Sequence, residues 1–306
     1  MARSAMRRSA MVRQVSGQRW KRGMVGVAVL LCTWLHTLER AHAAAFVIDG
    51  PAARVQLLEL YTSEGCSSCP PADAWLARLE QDRTLWQRVV PVALHVDYWD
   101  GLGWRDRFAS PAHGARQRAY ERAGHASGTY TPGWFVDGRE WRGWFARQPL
   151  PAAPRGEVGS LQLAIDGARI DVATAHPSLI RQGSVLHVAL LGSGLSSEVR
   201  RGENRGRKLG HAFVVLQHAQ AAFTAGRGTV RMPGWRREPV PRRAIAAWIT
   251  ATGNPTPLQA VGGWLPAAAS PTTTPTTTPT TTPTTTPTTA QAPLSHASAA
   301  RRPASR

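Results

Sequence analysis

The sequence is short of several things, and each shortage narrows the reading. It has only three cysteines in 306 residues, Cys32, Cys66 and Cys69. A structural zinc site needs four ligands, and no second C-x-x-C follows Cys66-Ser67-Ser68-Cys69 to complete one. Only Lys21 and Lys208 are lysine, so nearly all the positive charge is arginine, as in GC-rich coding. A long apolar run is also missing. Met24 to Leu35 is a dozen residues, well below the roughly 20 that a membrane-spanning helix needs.

That short run has a different meaning. It follows an Arg-rich start ending in Lys21-Arg22 and leads to Ala41-His42-Ala43, the small-x-small form of a signal-peptidase site. Residues 1–43 are therefore expected to be a cleaved signal peptide, taking Cys32 with them, and the chain to be periplasmic or secreted with no stable membrane anchor. At the other end, Pro271, Pro275, Pro279, Pro283 and Pro287 are each followed by threonines. Such a repeat has no apolar side chain to bury against its ordering entropy. Residues 266–306 are expected to be a disordered Thr/Pro-rich tail.

A formal charge of +18 suggests nucleic acid as a partner, but the distribution argues against it. Residues 1–43 carry eight basic and one acidic residue, and residues 44–149 balance at twelve each. Residues 150–265 hold fourteen basic against six acidic. No nucleic-acid partner is expected; a basic face on the second half is either solvated or meets an anionic partner.

Between the two ends the pattern divides again. Val55 to Tyr61 and Val89 to Val96 are nearly continuous apolar runs, as in parallel strands covered on both faces. Pro70-Pro71 opens a helix between them, and Ser110-Pro111 starts a second that stops near Gly124. Asp137-Gly138 then marks a hairpin between Trp134 to Val136 and Glu140 to Trp144. Prolines 149, 151 and 154 signal a linker. The runs around Asp166-Gly167, Val185 to Leu191 and Ala212 to Leu216 predict short strands. The expected architecture is an α/β domain over 44–149 followed by a small antiparallel β-sandwich over 150–265.

The chemistry concentrates at Cys66 and Cys69. A thiol is nucleophilic as thiolate, and a pair beside a helix N-terminus gains amides that stabilise the anion and a second sulfur that resolves a mixed disulfide. A bare structural disulfide is a poor alternative, since so short a loop removes little chain entropy. A metal site using both sulfurs with His95 or Asp97 is the other. A carboxylate near the pair, Asp97 or Glu59, is placed to relay a proton. Trp99 and Trp104 are read as core or as lining for an unfolded polypeptide, and Glu203-Asn204-Arg205-Gly206-Arg207 as an anion site or an interface brace.

In the order strand, C-x-x-C, helix, strand, helix, Thr131-Pro132, hairpin, residues 54–145 resemble the thioredoxin fold. That resemblance implies a cis Thr131-Pro132 bond and places Thr131 and Pro132 in the substrate groove. Three longer strings, Glu59 to Asp73, His95 to Tyr120 and Arg201 to Arg207, resemble the bacterial family of secreted thioredoxin-like proteins called domain of unknown function 1223. The resemblance implies fold and export but no substrate. Two features depart from it: Gln148-Pro149-Leu150-Pro151 leaves little room for a final helix, and Pro70 disfavours helical geometry at Cys69.

The expected function is an exported thiol-disulfide oxidoreductase acting on protein thiols or disulfides, with a redox partner protein and no cofactor. Cys66, Cys69 and Asp97 are its catalytic candidates, and Cys66 is expected to be the more exposed sulfur. A copper or zinc carrier and a non-catalytic interaction module are the alternatives.

Overall fold

A computed structural model describes residues 46–234 and 240–266. The expected signal peptide lies outside the described residues, as does the expected tail apart from Pro266.

Gln56–Thr62 and Val89–His95 are buried at every position, which demands cover on both faces. They form strands β2 and β3, after a short first strand β1 (Phe46–Asp49). β2 and β3 pair in parallel from Gln56↔Val89 to Thr62↔His95. The crossover contains helix α1 (Pro70–Ala77), with prolines at its first positions and Cys69 as N-cap. Cys69 is itself αR (φ −77, ψ −36), so the bias against helical geometry before Pro70 is overridden. Amides of Ala72 and Asp73 donate to the Cys69 carbonyl at 2.8 and 3.1 Å, which repays that bias with two hydrogen bonds.

Helix α2 (Pro111–Arg122) starts as its sequence predicts. Ser110 caps it by accepting from the Ala112 amide, and Pro111 needs no donor there. β4 (Gly133–Val136) and β5 (Arg139–Glu140) form the hairpin, with Asp137 and Gly138 both at positive φ, the requirement of a type I′ turn. The chain continues with β6 (Gln162–Asp166), β7 (Arg169–Ala173), β8 (Ser184–Ser193), β9 (Leu195–Glu198), β10 (Lys208–His211), β11 (Val214–Phe223), β12 (Arg227–Arg231), β13 (Arg242–Ala251) and β14 (Asn254–Trp264).

The expected α/β thioredoxin-like domain with a separate β-sandwich is not what these elements build. The described chain is predominantly β, with α-helices of only eight and twelve residues. One eight-stranded sheet, ordered β14-β13-β8-β11-β3-β2-β4-β5, runs through the boundary expected near residue 150. Its seam is the parallel contact of β3 with β11, where the Ala93 amide donates to the Phe213 carbonyl at 2.8 Å and Val214 pairs with Ala93. The physical reason lies in β8 and β13. Both are buried at almost every position rather than at alternate ones, the pattern of inner strands in a large covered sheet.

A second sheet, β1-β6-β7-β12, covers one face of this C-terminal half. Leu163, Ile165, Ile170 and Val172 share an apolar cluster with Leu186, Val188, Leu190, Ile245 and Ile249. Sheet-on-sheet packing is thus present, but one of its layers belongs to the eight-stranded sheet. β9 and β10 form a separate two-stranded hairpin. Its tip, residues 199–207, reaches back to the loop that follows β2.

Candidate functional site

Cys66 and Cys69 are joined by a disulfide with a Cα–Cα distance of 5.4 Å. The loop that holds them is wound locally: the Cys66 amide donates to the Ser63 carbonyl at 3.2 Å and the Cys69 amide to the Cys66 carbonyl at 3.3 Å. Both cysteines are fully buried, at 0% exposure, while Ser67 and Ser68 between them are exposed. The expectation that Cys66 is the more exposed sulfur is therefore not met. The Cys66 sulfur has the Ser68 hydroxyl 3.4 Å away.

Two groups of residues hold this loop. From the β9–β10 tip, the buried Asn204 side chain donates to the carbonyls of Glu64 and Cys66 at 2.9 and 2.8 Å. Glu203 accepts from the Ser67 amide at 3.0 Å, and the Ser67 hydroxyl together with that amide lowers its carboxyl below the usual range. The tip approaches closely because Gly202, at φ 72, lies against Trp104, whose Cβ is 3.3 Å from where a side chain would begin. From the other side, Trp99 packs on Gly65 and donates its indole N–H to the Thr131 hydroxyl at 2.8 Å. The Thr131-Pro132 bond is cis. Trp99 thus links the expected substrate-groove pair to the disulfide loop. The 203–207 string is a brace at this contact.

Beneath the disulfide lies a buried cluster of acids and histidines. Asp73 follows Cys69 by four residues on α1, hence on the same helix face. It is buried, with 7% exposure where it lines a cavity between α1 and β10, and burial pushes its carboxyl up to about 6 against the opposing pull of His95, His211 and the Thr62 hydroxyl. Asp106 accepts from His95 Nδ1 at 2.6 Å and from the Glu64 amide at 2.9 Å. Burial raises the Asp106 carboxyl, but the His95 charge and these donors outweigh it and bring it to about 2. Burial likewise opposes the charged form of His95, and Asp106 more than offsets it, so that imidazole is raised. Burial of Glu64 is outweighed by polar contacts from His211, Ser197 and Trp104, the last donating at 2.7 Å, and its carboxyl is lowered. His211 Nε2 lies 3.2 Å from Glu64 Oε1, an ion-pair distance without hydrogen-bond alignment.

The other candidates fall elsewhere. Asp97 is half-buried, its carboxylate facing Gly114 beside the Arg118 guanidinium. Glu59 is spent in a structural network, accepting from Arg116 and Tyr120, each at 2.6 Å. Reasoning on the sequence missed Glu64, Asp73, Asp106 and His211. Asp73 carried a usable signal, its position one helical turn after Cys69. Asp106 and His211 carried none, because they reach the site through the fold alone. Among the described residues, no group of three or more His, Cys, Asp or Glu side chains is arranged to hold a metal ion.

A comparison with curated proteins found no match. Among solved structures, the chain is similar to a structural-genomics protein from Agrobacterium tumefaciens at TM-score 0.48 and 24% identity, over 70% of this chain and 94% of that one. It is also similar to HBP35 of Porphyromonas gingivalis at TM-score 0.42 and 14% identity, over 73% of this chain and 82% of that one. The model of the family described as protein of unknown function (DUF1223) matches residues 57–250, and the chain belongs to that family.

Proposed function

We propose that this chain is an exported thiol-disulfide oxidoreductase that exchanges disulfides with protein substrates through Cys66 and Cys69. The observation that carries the reading is the pairing of a C-x-x-C disulfide with a buried acid, Asp73, one helical turn beyond Cys69 and titrating near 6. Acids with raised pKa values cluster at functional sites, and Asp73 is placed one turn from the sulfur it would serve.

In the oxidising direction, a substrate thiolate attacks Cys66 Sγ. The Cys66–Cys69 bond breaks, a mixed disulfide forms between substrate and Cys66, and the electron pair leaves on Cys69. Protonated Asp73 gives its proton to that Cys69 thiolate. A second substrate thiolate then attacks the substrate sulfur of the mixed disulfide, leaving an oxidised substrate and a reduced Cys66/Cys69 pair. In the reducing direction the same steps run backwards, with Asp73 accepting the Cys69 proton. Because neither sulfur reaches solvent, exchange requires the Asn204–Cys66 contact to open, a local opening of the kind that exposes buried sites. Thr131 and Pro132 border the path beside Trp99.

Asp97 is a weaker proton relay than Asp73, since its carboxylate lies against Gly114 on α2 and not on the helix that begins at the cysteine pair. Among the described residues, His95 Nδ1 is engaged by Asp106 while its Nε2 has no hydrogen-bond partner, but no group of three or more His, Cys, Asp or Glu side chains is arranged to hold a metal ion, which disfavours the metal-carrier alternative. Export rests on the leader-like residues 1–43. The reading is tested by assaying catalysed reduction of a protein disulfide by the purified chain with a chelator present; turnover is expected for the parent and none for Cys66→Ser.

A further inference from the structure

The tip of the β9–β10 hairpin carries Arg200, Arg201, Arg205, Arg207 and Lys208, all exposed. Among the described residues none of the five has a carboxylate within ion-pair distance, and Arg207 donates to Asn204 Oδ1 at 2.8 Å. The one acid within this stretch, Glu203, is exposed and accepts from the Ser67 amide, so five cations surround a single carboxylate that the disulfide loop already engages. Arg200, Arg205, Arg207 and Lys208 line a surface hollow of about 420 Å3 together with a single acid, Glu198, which pairs across the hairpin with Lys208. Arg105 and Arg107 add exposed cations from the loop after Trp104, Arg107 donating to the Ser196 carbonyl at 3.0 Å.

A basic surface is usually only solvated, and two facts distinguish this one. The buried Asn204 fixes the tip to the Cys66 carbonyl at 2.8 Å, so the cations are held at the disulfide and do not sweep through solvent. Charges act over roughly 8–10 Å at ordinary salt, and Arg205 directly follows the residue that bonds the Cys66 carbonyl. A substrate segment attracted to them arrives at the sulfurs.

We propose that this hairpin tip is the docking site for substrates, and that it selects polypeptides whose reactive cysteine is flanked by acidic residues. This rests on the exchange reading above and names its substrate class. Carboxylates pair with the arginine forks, and engagement of the tip pulls on the Asn204 and Glu203 contacts that close the site.

The test uses the full chain and three disulfide-cyclised peptides that differ only in flanking Asp, Ala or Lys. At about 20 mM salt the acidic peptide is expected to exchange about tenfold faster than the neutral one, narrowing to about twofold near 300 mM as the charges are screened. In Arg200→Ala/Arg201→Ala/Arg205→Ala the ratio of acidic to neutral rates falls toward one; thermal melting checks that this variant is folded. Equal rates for acidic and neutral peptides in the parent would overturn the proposal, as would a ratio that survives in the variant. If no peptide exchanges at all, the exchange reading has failed, and docking is decided by fluorescence anisotropy. Binding of the acidic peptide by the parent and not by the variant upholds it, and no binding overturns it.

Discussion

The side-chain amide of Asn204 donates to the backbone carbonyl of Cys66 at 2.8 Å, across 138 residues of sequence. It makes the second half of the chain part of the disulfide site. Asn204→Ala removes the side-chain donor from the Glu64 carbonyl and leaves the Cys66 carbonyl with only the Cys69 amide at 3.3 Å. The expected cost is about 2 kcal/mol of stability, read from denaturant melts. The same change frees the loop, so reduction of the Cys66–Cys69 bond by a small neutral dithiol is expected to speed up about tenfold. An unchanged reduction rate would mean that Asn204 does not close the site.

Asp73 titrates near 6 when folded, above its ordinary value of 3.8. For a carboxyl raised on folding, the folded state favours the protonated form. The associated stability is full below the unfolded value and is lost as pH rises through about 6. Asp73→Asn removes the ionisation and is expected to be more stable than the parent at pH 7 by about 3 kcal/mol, with the gain vanishing near pH 4. The exchange rate should also lose its inflection near pH 6. Parallel stability profiles for parent and variant across this range would contradict the assignment.

The His95–Asp106 pair has the opposite acid behaviour. The Asp106 carboxyl is depressed to about 2 and the His95 imidazole is raised above 6.5. The Asp106 contribution is present above about 4 and lost as pH falls toward 2. That of His95 is present below about 6.5 and lost as pH rises through its folded value. Asp106→Asn strips a buried imidazolium of its partner and is expected to cost about 3–5 kcal/mol, with the largest effect between about pH 4 and 6.5. NMR titration of the His95 ring should show its midpoint falling. A midpoint that stays put would remove the ion pair from the account.

Local chemistry was legible in the sequence, and long-range assembly was not. Ser110-Pro111 set a helix start and Asp137-Gly138 a hairpin because each residue type satisfies a backbone requirement on the spot. The cis Thr131-Pro132 bond followed from resemblance. The fold class went astray because the apolar continuity of Val185 to Leu191 is equally compatible with a small sandwich and with an inner strand of a large sheet. Only the pairing of β11 with β3 decides between them. The site followed the same division. Cys66 and Cys69 announce themselves by spacing, whereas Asp106 reaches the Glu64 amide across 42 residues and Asn204 reaches Cys66 across 138. The burial of both sulfurs follows from those distant contacts, which is why reading the loop alone exposed Cys66.

In the proposed order Cys66 takes the substrate and Cys69 resolves it, and trapping of the mixed disulfide reveals which sulfur does which. With Cys69 backed by α1 and Asp73, removing its sulfur leaves a mixed disulfide on Cys66 with no internal nucleophile to release it. In the full exported chain, Cys69→Ser is expected to accumulate covalent, reductant-sensitive adducts with other exported proteins, identified by mass spectrometry at Cys66, while Cys66→Ser accumulates few. Adducts on Cys69 in Cys66→Ser and none on Cys66 would contradict the assigned order. Absence of adducts from both variants, with a parent disulfide that resists mild reductants, would contradict the oxidoreductase account itself.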